Sequence, residues 1–475
     1  MNLYSFPFVV LLGILIALMS ILQLLCKFLK NIKYVQLFIL LLVSLLFVYF
    51  ADWRFLICIC GIIFFTYIVA LIIDKYHSQK ALVGGVIGLV LFLGYFKYAD
   101  FFINSFRNII GLDFVTLNII LPLGISFYIF SAIAYLIDIY RGDYLVEKNI
   151  LSLALYISFF PKLIAGPIVR GKDFFPQVKE YRGIKWDAFK SGIQIYVFGL
   201  FKKIVLADRL GVFVDDVFNA PVAFNTFTII LAVLSYSLQI YFDFSGYSDM
   251  AIGISKILGF DFKANFNLPY ISLNVSEFWK RWHISLSSWF KDYLYIPLGG
   301  SRKGKARVYI NLMIVMLVSS LWHGASWTYV AWGALHGFAS CINKAFGKNF
   351  KKLGNTINRI LTFVVVTLFW IVFRATSFSN ALEVLKGMFT IHPGINQPYT
   401  WSFFAILCFV VGTMVAIIHS KKVGLKDSHG EIIINGFYPI LDLSKFWSMV
   451  IFFIFCGLTI ILGYFGNTAF IYGTF

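Results

Sequence analysis

The sequence is poor in charge. Of its 475 residues only 13% are Asp, Glu, Lys or Arg, while 60% are hydrophobic; the mean hydropathy is +0.84. A soluble globular chain carries about 25% charged residues. Such a globule needs a polar skin, and this composition supplies too little of one. The shortage excludes a soluble enzyme, a disordered protein and a secreted disulfide scaffold. Cysteine is scarce as well: Cys26, Cys58, Cys60, Cys341, Cys408 and Cys456 are the whole set. All lie in or beside apolar runs, and none forms a CxxC pair or has a histidine at metal-ligand spacing, so no metal site is expected. They read as small packing residues. No nucleophile elbow, P-loop, HExxH or GxGxxG is present, so any nucleophile is an unmarked Ser, Thr or Tyr, or belongs to a substrate.

What the chain has is apolar length. A membrane helix needs about 20 mostly apolar residues. Clear runs fall at 6–26, 35–50, 54–73, 82–98, 190–207, 225–243, 306–322, 357–374, 400–419 and 445–465. Less clean ones fall at 117–137, 150–168, 246–260 and 326–343. The expectation is an all-α polytopic membrane protein of roughly eleven to fourteen transmembrane or re-entrant helices, with residues 1–475 forming one membrane-embedded domain. The N-terminus is apolar from Phe6 to Met19 without a basic leader or a small-x-small cleavage site, so it reads as a retained first span. Forty basic residues face 22 acidic ones, a formal +18. They cluster in short loops, such as Lys27, Lys30 and Lys33, or Arg302, Lys303, Lys305 and Arg307. That pattern speaks for topology and lipid headgroups, with nucleic acid not expected as a partner.

Residues 261–300 stand apart. Asn274 or Ser276 can cap a helix near Glu277, and Phe278, Trp282, Leu286, Trp289 and Tyr293 recur at helical spacing. The stretch is too polar to span lipid, and it fits either an interfacial or re-entrant amphipathic helix or an ordinary surface helix with an aromatic belt.

Seven histidines mark the places where chemistry can reside. His77, His392 and His429 sit in polar or loop contexts, and His419 closes an apolar run. His323 follows the apolar run 308–322 directly, in SSLWHGASW. An ionisable group at membrane depth is a functional candidate by default; the bland alternative is an imidazole hydrogen-bonded between helices. Gly324 offers a backbone break. His336 lies 13 residues on, about 140° round a continuous helix, so the two share a face only if Gly324 or Ser326 breaks that helix. His283, in KRWHIS, is flanked by tryptophans and basic residues; nearby cations and partial burial both favour the neutral imidazole. Asp138, Lys162, Asp243, Asp249 and Asn311 are further polar residues within apolar runs; IYFDFSGYSDMAIG suggests a helix interruption at Gly246, with interhelical hydrogen bonds or a charge pair as the alternative. The terminal FIYGTF carries one phenol, Tyr472, either on an interface anchor or on a tail that can be acylated if a base such as histidine activates it.

EFWKRWHISLSSWFKDYLYIPLGGSRKG (277–304), followed by LWHGASWTYVAWGALHG (321–337), resembles the core of the membrane-bound O-acyltransferases. The likeness is to the bacterial branch that O-acetylates alginate or peptidoglycan. LPLGISFYIFSAIAYLIDIYRG (121–142), FFPKLIAGPIVR (159–170), GLFKKIVLADR (199–209) and YSLQIYFDFSGYSDMAIG (236–253) extend it over most of 90–340. The D-alanyl-teichoic-acid branch is similar but departs after the DY of the first motif, whereas this chain continues IPLGGSRKG. The resemblance implies a ring of helices round a tunnel and a catalytic core at about 90–345. By that resemblance His323 is the active-site histidine, His283 the second family histidine, and His336 part of the second H-G motif. His336, Trp282, Trp322, Asp243 and Asn311 are expected to line the tunnel. FIYGTF (470–475) is similar to an F-x-Y-x-x-F ending that makes Tyr472 an acyl relay.

The implied activity moves an acetyl or other acyl group from a cytoplasmic thioester, acetyl-CoA in the first instance, across a bacterial cytoplasmic membrane for O-acetylation of a cell-envelope or exported polysaccharide. No bound cofactor is implied. An extracytoplasmic Ser-His-Asp (SGNH-type) acetyltransferase is the implied partner. Two alternatives stand beside it: a transporter of polysaccharide or lipid-linked sugar without chemistry, and an enzyme that acylates protein or lipid directly. Alginate-like polymer, peptidoglycan and teichoic acid all remain open as acceptor.

Overall fold

The computed structural model describes residues 3–28, 31–111, 117–391, 393–423, 441–466 and 471. The chain is all-α. Helices α1 (Phe6–Leu24), α2 (Ile32–Tyr49), α3 (Trp53–Tyr76), α4 (Gln79–Ile110), α5 (Ile125–Arg141), α6 (Ile150–Ser158), α7 (Phe160–Leu163) and α8 (Gly171–Val178) come first. Then α9 (Trp186–Leu200) runs through a π-helical turn, Phe201–Ala207, into α10 (Asp208–Asn219), followed by α11 (Thr226–Ile257). After them come α12 (Val275–Arg281), α13 (Ile284–Phe290), a second π-helical turn at Lys291–Tyr295, and α14 (Lys305–His323). The last are α15 (Trp327–Lys351), α16 (Asn355–Arg374), α17 (Phe378–Phe389), α18 (Thr400–Val423) and α19 (Phe446–Leu462). Among the described residues, eight helices are long and apolar enough to cross a membrane: α1 to α4, α11, α14, α16 and α18. This is a multi-pass membrane protein.

Packing divides the chain into two compact units, Met1–Tyr196 with Met250–Lys263, and Val197–Asp249 with Ala264–Phe475. The first centres on aromatic clusters. Phe8, Phe47 and Phe160 meet with ring centroids 5.9–6.0 Å apart, and Phe159 and Phe174 flank Phe260 at 4.9 and 5.5 Å. Gly124 starts α5 in the left-handed region (φ +69°), and a Cβ there would lie 2.2 Å from the Leu163 carbonyl, so both conformation and space call for glycine. Lys162 and Asp138 are buried in this unit, with the Lys162 ammonium over the Tyr156 ring at 4.6 Å. His77 closes α3 at φ 44° and stacks on Tyr140. No cysteine is in a disulfide.

Two expectations are corrected here. The runs 225–243 and 246–260 are one unbroken helix, α11, of 32 residues. Gly246 does not interrupt it; a Cβ there would meet the Gly199 carbonyl at 2.7 Å, so its role is close helix approach. The stretch from Glu277 to Tyr293 is not one amphipathic helix either, because it breaks at Trp282–His283 and both residues are buried. Burying that aromatic pair outweighs the continuity of the helical hydrogen bonds.

Candidate active site

The second unit gathers three histidines on a framework of tryptophans. α14 ends at His323, Gly324 is extended, and the Ser326 hydroxyl accepts from the Thr328 N–H to cap α15. A Cβ at Gly324 would lie 2.2 Å from the Tyr329 ring, so only glycine fits this crossing. The break brings together what a continuous helix would separate. His323 and His336 both meet the Trp332 ring edge-on, at 5.2 and 5.0 Å between centroids. Small residues let α15 close onto α14, since a Cβ at Gly333 would lie 2.4 Å from Ser320 Oγ.

Each imidazole is held in a defined orientation. His323 Nδ1 lies 2.6 Å from the Ser319 carbonyl. A carbonyl only accepts, so Nδ1 carries the proton and Nε2 of the neutral ring carries the basic lone pair. At His336 the polarity reverses, because Trp279 Nε1 donates to its Nδ1 at 3.2 Å. His283 sits between α12 and α13 with φ 45°. Its Nδ1 is 3.3 Å from Asn265 Oδ1. That oxygen also accepts from the Ser285 N–H and Oγ, at 3.1 and 2.9 Å, while Asn265 Nδ2 donates to Ser248 Oγ. His283 Nδ1 is therefore a donor too. Burial, and after it the His323 charge, push the His283 imidazole well below the ordinary histidine range. Of the two expected causes of neutrality, burial is the larger, and the charge beside it comes from His323.

The expected residues sort into three places. Trp322 stands between His283 and His323, at 5.9 and 5.1 Å. Trp282 packs behind them on Phe266 and Trp370, at 5.1 and 5.2 Å, and Trp370 stacks on Trp332. Asp243 lies in a buried ion cluster. Lys203 bonds its Oδ1 at 2.5 Å and Asp208 at 2.8 Å, while Lys202 pairs with Asp249 at 2.5 Å. The charge-pair reading thus holds for both aspartates of α11. Asn311 is apart from the histidines and donates to the Gly300 carbonyl at 3.1 Å, which holds the turn before α14. Tyr472, His392 and His429 lie outside the described residues.

A pocket of about 220 Å³, mostly apolar, has Trp279, Leu286, Tyr295 and Ser319 in its wall, with Lys280 and Lys291 lining it too. It touches both the residue that orients His336 and the residue that orients His323. Asn265, Trp332, Ser319 and the Lys202–Lys203 pair escaped the sequence reasoning. Only the lysines carried a signal, two consecutive cations inside an apolar run. No group of three or more metal-ligating side chains occurs among the described residues.

Comparison with known proteins gives the family. The model of the membrane-bound O-acyltransferase family matches residues 145–382, a span that contains all three histidines. A Pseudomonas aeruginosa protein named "probable alginate O-acetylase AlgI" is 43% identical over 365 residues, 74% of this chain and 69% of that one. The peptidoglycan O-acetyltransferase of Helicobacter pylori is 40% identical over 383 residues, 74% and 73% of the two chains. A teichoic acid D-alanyltransferase of Bacillus subtilis is 28% identical over 277 residues, 55% of this chain and 70% of that one. The chain belongs to the membrane-bound O-acyltransferase family and is an O-acyltransferase, which sets aside the reading as a transporter without chemistry.

Proposed function

We propose that this membrane-bound O-acyltransferase moves an acetyl group from a cytoplasmic thioester, acetyl-CoA, across a bacterial cytoplasmic membrane for O-acetylation of a cell-envelope or exported polysaccharide. The names of the relatives at 40% identity and above support the acetyl group and a polymer acceptor. The observation that carries the chemistry is the 2.6 Å contact from His323 Nδ1 to the Ser319 carbonyl. It leaves the basic lone pair on Nε2, inside a buried, aromatic-walled site, which supports the reading of His323 as the general base.

In the proposed cycle the reactive end of the thioester enters the pocket beside Ser319, and Lys280 and Lys291 attract the donor's phosphates. At about 220 Å³ that pocket fits the acyl-thioester end rather than a whole nucleotide-bearing donor. His323 Nε2 removes the proton from a hydroxyl, that of Tyr472 in the relay form of the mechanism. The oxygen attacks the thioester carbonyl, a tetrahedral adduct forms and collapses, and the C–S bond breaks. The departing thiolate takes the proton back from Nε2. The products are a tyrosyl ester and the free thiol. His283, neutral and fixed by Asn265, orients the donor; His336, Trp282 and Trp322 shape the site. The ester then passes to an extracytoplasmic Ser-His-Asp hydrolase-type partner, which acetylates the sugar hydroxyl.

The test is to incubate purified protein with radiolabelled acetyl-CoA and to map the label by peptide mass spectrometry. Label on Tyr472 that disappears in His323→Ala is the expected result. Full transfer by Tyr472→Phe would end the relay, and wild-type turnover by His323→Ala would end the base assignment.

A further inference from the structure

After α19 the chain is tied to the π-helical turn Phe201–Ala207 and its surroundings at three points. Arg209 Nε donates to the Leu462 carbonyl at 2.7 Å, and the Tyr464 N–H donates to the Ile204 carbonyl at 2.8 Å. The Ile471 N–H donates to Asp243 Oδ2 at 2.9 Å. A π-helical turn disrupts the i→i−4 ladder, and here a carbonyl within it accepts a bond from outside the helix. Asp243 is a special acceptor because Lys203 holds its other oxygen at 2.5 Å and also holds Asp208 at 2.8 Å. One ammonium serves two buried carboxylates, so an N–H aimed at Asp243 Oδ2 makes a charge-assisted bond. The next residue on α11, Phe244, packs edge-on against His283 with centroids 4.6 Å apart. In sequence, Ile471 immediately precedes Tyr472.

We infer that Asp243, held by Lys203, is a latch for the backbone of the chain's own C-terminal tail, gripping the peptide N–H at Ile471, the residue that precedes Tyr472 in sequence. The purpose of the latch rests on the relay reading of Tyr472; its existence does not. Asp243 is thus a positioning residue, and the buried ion cluster has a use beyond holding α10 and α11 to the π-helical turn.

Hydrogen exchange read by mass spectrometry on the full chain in detergent, over the peptide covering 465–475, tests this. Loss of one charge-assisted bond corresponds to roughly tenfold to hundredfold faster local opening. Tail exchange is expected to accelerate by about tenfold or more in Asp243→Asn. It is expected to stay as in wild type in Asp208→Asn, which breaks the other half of the lysine's pairing and leaves the latch oxygen in place. Ile471→Pro removes the donor without touching the buried cluster, so it serves even if Asp243→Asn folds poorly, and its remaining tail amides should also exchange faster. Equal exchange in wild type and Ile471→Pro overturns the inference, as does equal acceleration by Asp208→Asn and Asp243→Asn. The two readings separate on Tyr472→Phe. Full transfer by that variant with a tail freed by Asp243→Asn keeps the latch and removes the relay. An inactive Tyr472→Phe with a tail indifferent to Asp243 keeps the relay and removes the latch.

Discussion

Asn265→Ala is the sharpest test of how the site is built. Asn265 works on α13 twice: its carbonyl accepts from the Ile284 N–H at 2.9 Å, and its Oδ1 accepts from the Ser285 N–H at 3.1 Å. These are the first two amides of α13, which its own N-cap residue, His283, does not satisfy. The same Oδ1 takes the His283 Nδ1 proton. Alanine keeps the backbone bond and removes the rest. A lost cap costs about 0.5–2 kcal/mol, and a buried imidazole N–H left without its acceptor about 1–3 kcal/mol. Ser285 Oγ, 3.5 Å from Nδ1, can swing in and recover part of that. The expected loss is therefore about 2–4 kcal/mol, measured by chemical denaturation in detergent micelles. Transfer activity should fall with it, because His283 is then free to turn. A double-mutant cycle with Ser285→Ala should show coupling of about 0.5–3 kcal/mol. Stability within about 0.5 kcal/mol of wild type, or strict additivity with Ser285→Ala, would refute the view that this side chain organises the site.

Further expectations follow from individual contacts. His323→Ala should fold normally and lose about 10²- to 10⁴-fold in acyl transfer, the usual contribution of a general base; a radiolabel transfer assay measures it. Burial holds His283 below the ordinary histidine pKa, so below about pH 6.5 the unfolded chain binds more protons there than the folded one. Its stabilising contribution is complete above that pH and declines as pH falls; denaturation midpoints at pH 7 and 5.5, with His283→Gln as reference, check the sign. Gly246→Ala places a methyl 2.7 Å from the Gly199 carbonyl and should cost about 1–3 kcal/mol, with a matching fall in thermal midpoint.

The fold class was legible because lipid leaves little choice. Long apolar runs such as 54–73 and 357–374 must be helices, and α3 and α16 cover them. What hydropathy misread was polar residues inside such runs. Gly246, between Asp243 and Asp249, imitates an interruption of α11, yet the helix continues: the glycine serves close approach to Gly199, and Lys203 and Lys202 come from another segment to pair with the aspartates. Neighbours that neutralise a charge are distant in sequence, 40 residues away for Asp243, and no local pattern reports them. Periodicity failed at Trp282 for a related reason: the aromatic spacing fits one helix, but the burial partners Trp370 and Phe266 lie on other segments and fix the break.

The histidines show where motif and geometry each carry information. Resemblance singled out His283, His323 and His336 without saying how an isolated imidazole becomes a base. The structure adds the residues that orient each ring, Ser319, Asn265 and Trp279, none of them singled out in the sequence. Two of them set the proton on Nδ1 and one accepts the opposite arrangement. His323 and His283 therefore carry their lone pairs on Nε2, whereas His336 accepts through Nδ1 and is committed to Trp279. The glycine at 324, by ending α14 just after His323 and letting Tyr329 close over the break, is what allows a histidine 13 residues further on to join the same aromatic wall. Its replacement should disperse the cluster even though glycine itself performs no chemistry.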